Sequence, residues 1–285
     1  MTEKILTIGR PNPRQREFLA CEKKYVAFGG ARGGGKSWAV RTKAKLLALR
    51  YPGIRLLLVR RTYQELEANH IRFLRRELAN LAEYRATARQ FAFPNGSVLD
   101  FGYCAADGDM DRYQGAEYDV IFLDEATQLK EEWMRQFAAC LRGVNGFPKR
   151  LYYTCNPGGP GHGYIKRLFI DRRFQAGENP EDYVFILAKV TDNRALLRAQ
   201  PDYLRQLQAL PRGRYSRSSP TIRPTIRTGG SPMSSPPLTF PGSGGCTAAM
   251  TSAMPSPSPA AGGRWTTTES FIGSWSCTAA PGRRM

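Results

Sequence analysis

An α/β fold with a mainly parallel sheet between helical layers is predicted for the first 190 residues, and three observations carry the prediction. Short apolar runs of strand length alternate with charged helical stretches up to about Pro211. One such run, KYVAF, leads into a glycine-rich loop and then a helix. A second, VIFL, ends well downstream in two adjacent carboxylates.

The elements follow in order. KYVAF reads as a short buried strand, FGGARGGGKS as the loop and SWAVRTKAKLLALRY as the helix after it. IRLLLVRRTYQEL gives a second strand and the start of a helix. QFAFPNGSVLDFGYC is a hairpin, two alternating apolar runs joined at Pro94, Asn95 and Gly96. Val120 to Leu123 form an apolar run expected to be a central parallel strand. RLYYTCNPGGPGHG supplies another strand, ending at Thr154, Cys155, Asn156 and Pro157. EDYVFILAKVTDN is a further strand, and RALLRAQPDYLRQLQALP a helical segment over 191–212 whose leucines are expected to pack as core.

The chemistry sits at the strand ends. Gly30 and Gly35, followed by Lys36 and Ser37, have the G-x4-G-K-S spacing of a phosphate-binding P-loop, with the strand before it and the helix after it that the motif requires. Gly33, Gly34 and Gly35 let backbone N–H groups face phosphate oxygens at a helix N-terminus, where the dipole favours negative charge. Lys36 is then placed to reach the β- and γ-phosphates of ATP, and the Ser37 hydroxyl to bind Mg²⁺. Asp124, at the end of the VIFL run, is the expected metal-supporting carboxylate. Glu125 beside it is the expected general base, since consecutive positions at a strand end project differently. Asn156 ends a third strand where an amide could contact the γ-phosphate or the attacking water. This set defines a P-loop NTPase of the RecA/ASCE-like kind, a three-layer sandwich.

Composition bounds the partners. The net charge of +18 draws the chain to polyanions, nucleic acid first and an acidic membrane surface second. No apolar run approaches the roughly 20 residues that span a bilayer, and MTEKILTIGRPNPRQ lacks the apolar core of a signal peptide. A cytoplasmic protein is expected. Cys21, Cys104, Cys140, Cys155, Cys246 and Cys277 show no C-x-x-C spacing, and His70 and His162 are the only histidines, which argues against a zinc site. The cysteines are read as reduced and the first four as core or near-core thiols.

From Gly213 onward the texture changes. There is no lysine and one acidic residue, Glu269, among stretches such as SPMSSPPLTFPGSGG. Such a composition fits a disordered tail over 213–285. The genetic code offers a second reading. Taking the third base of each codon with the first two of the next, Met250-Thr251 forces Asp, Met254-Pro255 forces Ala and Trp265-Thr266 forces Asp. From Ser243 the shifted frame permits W-R-V-Y-R-S-Y-D-F-G-Y-A-K-P, and from Arg264 it permits V-D-D-D-G-V-L-Y-R-I-L-E-L-Y-G. The tail, at least from about Thr239, is therefore expected to be out of frame, with a crossing point between Arg212 and Thr239.

PRQREFLACEKKYVAFGGARGGGKS, LVRRTYQEL, DRYQGAEYDVIFLDEATQL and YYTCNPGGPGHGYIKRLFI, in this order, resemble the N-terminal ATPase domain of the large terminase subunit of tailed bacteriophages. The resemblance covers roughly Pro11 to Leu210. It implies ATP hydrolysis that drives double-stranded DNA into a procapsid, by a homo-oligomeric ring on the portal protein with a small terminase subunit as partner. That places the chain in the bacterial host cytoplasm and transiently at the portal, with no membrane partner. By matched position Gln15 would contact adenine, Lys36 and Ser37 would hold phosphates and Mg²⁺, Asp124 would support the metal and Glu125 would activate water. Asn156 would couple phosphate release to movement. Arg32 resembles a basic residue that many terminases place in the loop, though a solvated arginine reads the same way. The resemblance also implies an arginine finger, for which Arg112 is the candidate and Arg60 and Arg61 are competitors. The family's C-terminal nuclease domain binds two metals through an acidic cluster, which one carboxylate, Glu269, cannot supply. Nuclease activity is therefore not expected. The alternatives are a truncated ATP-binding remnant that no longer packages, and a helicase-like DNA-dependent ATPase.

Overall fold

The computed structural model describes residues 7–30, 32–209 and 271–272, in two units. In the first, strand β1 (Thr7–Ile8) pairs antiparallel with β10 (Phe271–Ile272). The expected disorder of 213–285 and its shifted reading frame otherwise lie outside the described residues.

The second unit, Pro11–Arg217, is built on an eight-stranded sheet. Its strands are β2 (Tyr25–Gly30), β3 (Arg55–Arg60), β4 (Glu83–Arg85), β5 (Gln90–Ala92), β6 (Val98–Tyr103), β7 (Val120–Leu123), β8 (Arg150–Cys155) and β9 (Tyr183–Ala188). Their order across the sheet is β4-β5-β6-β3-β7-β8-β2-β9. From β6 to β9 every neighbouring pair is parallel, while β4 and β5 make an antiparallel edge. The mainly parallel α/β sheet is thus the one the apolar runs predict. β4 has no counterpart in the apolar pattern, because EYR is three residues long, exposes two of them and carries no apolar run.

Both faces of the sheet are covered, and successive strand residues serve opposite cores. Val26, Phe28, Leu56, Leu58, Phe122 and Tyr152 join one core with α2 (Lys36–Arg50). Ala27, Leu57, Val59, Ile121, Leu123, Leu151 and Tyr153 join the other. There they meet Trp133, Met134 and Phe137 of α5 (Glu131–Ala139) and Leu168, just past α6 (His162–Ile165).

Three local features bear on the site. Helix α1 (Pro13–Ala20) opens with a capping box between Asn12 and Gln15, and its Phe18 stacks on Phe28 at 4.9 Å and meets Tyr152 edge-on at 5.4 Å. Lys43 of α2 donates to the carbonyls of Leu19 (2.5 Å) and Cys21 (3.2 Å), closing the C-terminus of α1. After β3 the chain forms α3 (Tyr63–Leu66), a π-helical turn (Glu67–Ile71) and α4 (Arg72–Glu77) without a break.

The segment after β9 forms α7 (Arg194–Ala199) and α8 (Tyr203–Ala209). Its leucines differ from expectation. Leu196, Leu197, Leu204 and Leu207 are only half-buried, because the segment follows an edge strand and lies against the glycine loop rather than under the sheet. Asn193 Nδ2 donates to the Gly33 carbonyl at 2.7 Å, and a Cβ at Gly33 would come within 3.0 Å of Leu196 and 2.7 Å of Tyr203. Of the four described cysteines, all free, Cys104, Cys140 and Cys155 are buried and Cys21 is half-buried.

Phe18 is fully buried and anchors α1 to the sheet. Phe18→Ala should lower the unfolding free energy by about 3–5 kcal/mol, the usual loss for emptying a buried aromatic site. Chemical denaturation measures it, and a loss below about 1 kcal/mol would mean that α1 is not anchored there.

Candidate nucleotide site

The site forms where β2, β8 and β7 end side by side. The loop after β2 turns through Gly33 (φ 79°) and Gly35 (φ 77°), left-handed conformations that favour glycine. Gly35 is the N-cap of α2 and brings no side chain to the first-turn N–H groups. These donors therefore suit an anion. Gly30, where the loop begins, comes so close to β9 that a Cβ there would lie 2.5 Å from the Ala188 carbonyl oxygen. Gly34 lies within the same turn and Ser37 in the first turn of α2. Arg32, in the loop, is exposed.

Lys36 is buried at the start of α2. Burial lowers its pKa, against the opposing pull of Glu125, Cys155 and Asp124. Its Nζ donates to Asn156 Oδ1 at 2.7 Å. The Asn156 amide in turn donates to both carboxylate oxygens of Glu125 at 2.8 Å. Thr127 Oγ1 fixes the Asn156 carbonyl at 2.9 Å. A cation, an amide and a carboxylate thus stand in line across three neighbouring strand ends.

Asp124 is almost fully buried at the end of β7. Its Oδ1 accepts from Thr154 Oγ1 at 2.5 Å, and its Oδ2 bonds to His70 Nε2 at 2.8 Å. Arg60 Nε lies 3.0 Å from the same Oδ2, and Arg60 Nη2 lies 3.9 Å from Glu125 Oε1. Burial alone would raise the Asp124 pKa, but His70, Arg60 and the Thr154 hydroxyl outweigh it and hold the carboxyl well below the usual carboxylate range. Glu125 adopts φ 54°, a left-handed backbone rare for a non-glycine residue, and its N–H donates to Thr154 Oγ1 at 2.9 Å. One hydroxyl therefore serves both carboxylate residues.

Lys36, Asp124, Glu125 and Asn156 all converge here. Gln15 reaches the loop as well, donating from Nε2 to the Gly35 carbonyl at 3.0 Å while its Oε1 accepts from the Asn12 N–H. Arg112 stands apart. It pairs with Asp109, lies over the Tyr103 ring at 4.0 Å and is partly exposed. Arg60, weighed as a finger, is buried against its own chain's Asp124. Thr154 and His70 were not assigned roles from sequence. A threonine at a strand end reads as one more β-branched strand residue, and a lone histidine in a charged helix carries no local signal.

These residues fit a magnesium nucleotide. Among the described residues no three of His, Cys, Asp and Glu converge on a metal cage. Mg²⁺ needs none, since it takes one or two carboxylates together with substrate phosphates.

The family description "Terminase large subunit, T4likevirus-type, N-terminal" matches residues 27–219. The chain belongs to this terminase family. The large terminase of a thermophilic bacteriophage has the same fold at 17% identity and a TM-score of 0.57, over 70% of this chain and 50% of that one. The same phage enzyme in complex with ATP-gamma-S matches at 18% identity and a TM-score of 0.57, over 72% and 50%. The ATPase domain of the Thermus phage P74-26 large terminase matches at 16% identity and a TM-score of 0.51, over 71% and 89%. The chain spans about half the length of the first of these terminases. No curated protein sequence matches it. The terminase match runs to residue 219, past the Leu210 that bounds the motif resemblance.

Thr154→Val keeps the shape but removes the hydroxyl, leaving the Glu125 N–H and Asp124 Oδ1 each short of a partner. The terminase variant should lose about 1–3 kcal/mol of stability, and Thr154→Ser should recover most of it in thermal unfolding. Equal stability of the valine variant and the parent would show that Thr154 is no pin.

Proposed function

We propose that the chain hydrolyses ATP as the motor part of a phage terminase, driving double-stranded DNA into a procapsid. The observation that carries this reading is the line Lys36–Asn156–Glu125 beside an uncapped glycine N-terminus. A buried cation, an amide and a carboxylate at adjoining strand ends match the needs of phosphoryl transfer, which is mostly positioning and charge stabilisation.

In this reading the loop N–H groups and Lys36 bind the phosphates, and the Gln15 amide lies on the adenine side of the loop. Bound Mg²⁺, with Ser37 and Asp124 as its holders, would neutralise charge building on the phosphates. Glu125 accepts the proton of the attacking water, with the Asn156 amide between Lys36 and Glu125 orienting its carboxylate. Asn156 then reports the state of the phosphate to Glu125, because it touches both Lys36 and Glu125. Arg112, exposed on its own subunit, serves as the finger reaching a neighbour in a ring on the portal protein, with the small terminase subunit as a further partner. The setting is the host cytoplasm and, transiently, the procapsid portal. The family membership and the net charge of +18 support DNA as the polyanion. We assign no nuclease activity to this chain, since Glu269 is the one carboxylate after Gly213.

Lys36→Ala should reduce ATP turnover at least about 100-fold, and retained turnover would place the chemistry elsewhere. Glu125→Gln should keep nucleotide affinity while hydrolysis falls by about 10²–10⁴. Loss of both together in a filter-binding and phosphate-release comparison would contradict its role as base. Incubating the pure chain with plasmid and Mg²⁺ or Mn²⁺ should yield no nicked or linear product on a gel, and cutting would refute the nuclease assignment.

A further inference from the structure

The buried histidine beside Asp124 has no place in the reading above. His70 is fully buried, sits in the π-helical turn between α3 and α4, and makes the one hydrogen bond to Asp124 Oδ2 among the described residues. A carboxylate that holds a metal ion acts as an acceptor, and the Nε2–H tautomer of His70 completes the bond to it. The other ring nitrogen, Nδ1, is buried with no partner.

That orphan atom is informative. A buried polar atom without a partner costs stability, and an apolar side chain of the same volume would avoid the cost. Arg60 already stands 3.0 Å from Oδ2, so the carboxylate has a countercharge without His70. Arg60 Nε, however, is not aimed along that contact and forms no hydrogen bond. Direction at Oδ2 therefore comes from His70, as direction at Oδ1 comes from Thr154. Between them the two donors fix how the carboxylate plane is turned. A π turn, which offsets the residues of a helix by one position, is what brings His70 to this point.

We propose that His70 is a positioning residue that turns the Asp124 carboxylate toward the divalent cation of the bound nucleotide, acting through the 2.8 Å bond to Oδ2. The inference rests on the nucleotide reading of the site. It assigns the helix after β3 a part in metal binding. Partners of metal-holding side chains typically change metal affinity or activity by about 10–100-fold when removed.

The test compares the full chain with His70→Leu, His70→Gln and His70→Asn. The readouts are Mn²⁺ binding in the presence of ADP by electron paramagnetic resonance, metal-free binding of a fluorescent ADP, and thermal unfolding. Glutamine can place an N–H where Nε2 stands, and asparagine is too short. The leucine and asparagine variants should bind Mn²⁺ at least about tenfold more weakly with metal-free ADP binding unchanged, and glutamine should restore most of the affinity. Leucine and asparagine variants within twofold of the parent, or a glutamine variant as impaired as asparagine, would overturn the proposal. If the leucine variant does not fold, the glutamine and asparagine pair decides alone. A parent chain that binds no Mn²⁺ with ADP and hydrolyses no ATP would instead refute the nucleotide reading itself.

Discussion

The position of β8 between β2 and β7 is the constraint on which the site depends. The glycine loop leaves β2 and the carboxylates leave β7, and neighbouring strands lie about 4.8 Å apart. With β8 inserted, the end of that strand falls between Lys36 and Glu125. Asn156 fills that place with a side chain that accepts on one side and donates on the other. A charged residue there would repel one neighbour, and an apolar one would break both contacts.

The same sheet accommodates the cost of burying charge. Asp124 is desolvated on all sides, and an isolated carboxylate in that position would take up a proton. Arg60, at the end of the neighbouring strand β3, supplies the countercharge, while Thr154 and His70 supply directed hydrogen bonds. Lys36 is destabilised by the same dryness. A desolvated cation and a buried carboxylate at one strand-end cluster make a site suited to an anionic ligand with its own metal. The left-handed Glu125 belongs to this arrangement, since its strain is held by the Thr154 hydroxyl and the Asn156 amide.

Much of this was legible in the chain. The loop, its lysine and the VIFL strand announce themselves because phosphate binding demands glycine at left-handed positions and a parallel central strand demands unbroken apolar residues. Asn156 was legible as a strand-end amide, though its double contact needed the strand order, which sequence does not encode locally. His70 was not legible: its partner is 54 positions away, and it lies in a π turn that no periodicity marks. Arg60 looked like a candidate finger because an arginine at a strand end reads the same whether it faces solvent or its own carboxylate. The leucines of α7 and α8 follow a core pattern, yet their segment lies beyond the sheet edge, with Leu196 against the glycine loop, and all four are half-buried.

A crystal structure of the chain with ATP-gamma-S and Mg²⁺ tests the central claim most directly. The account predicts the triphosphate over the loop from Gly33 to Ser37, Lys36 on a phosphate oxygen, the metal on the Asp124 side, and the Asn156 amide still between Lys36 and Glu125. A nucleotide bound away from the ends of β2, β7 and β8, or Asn156 displaced from between the two, would contradict it.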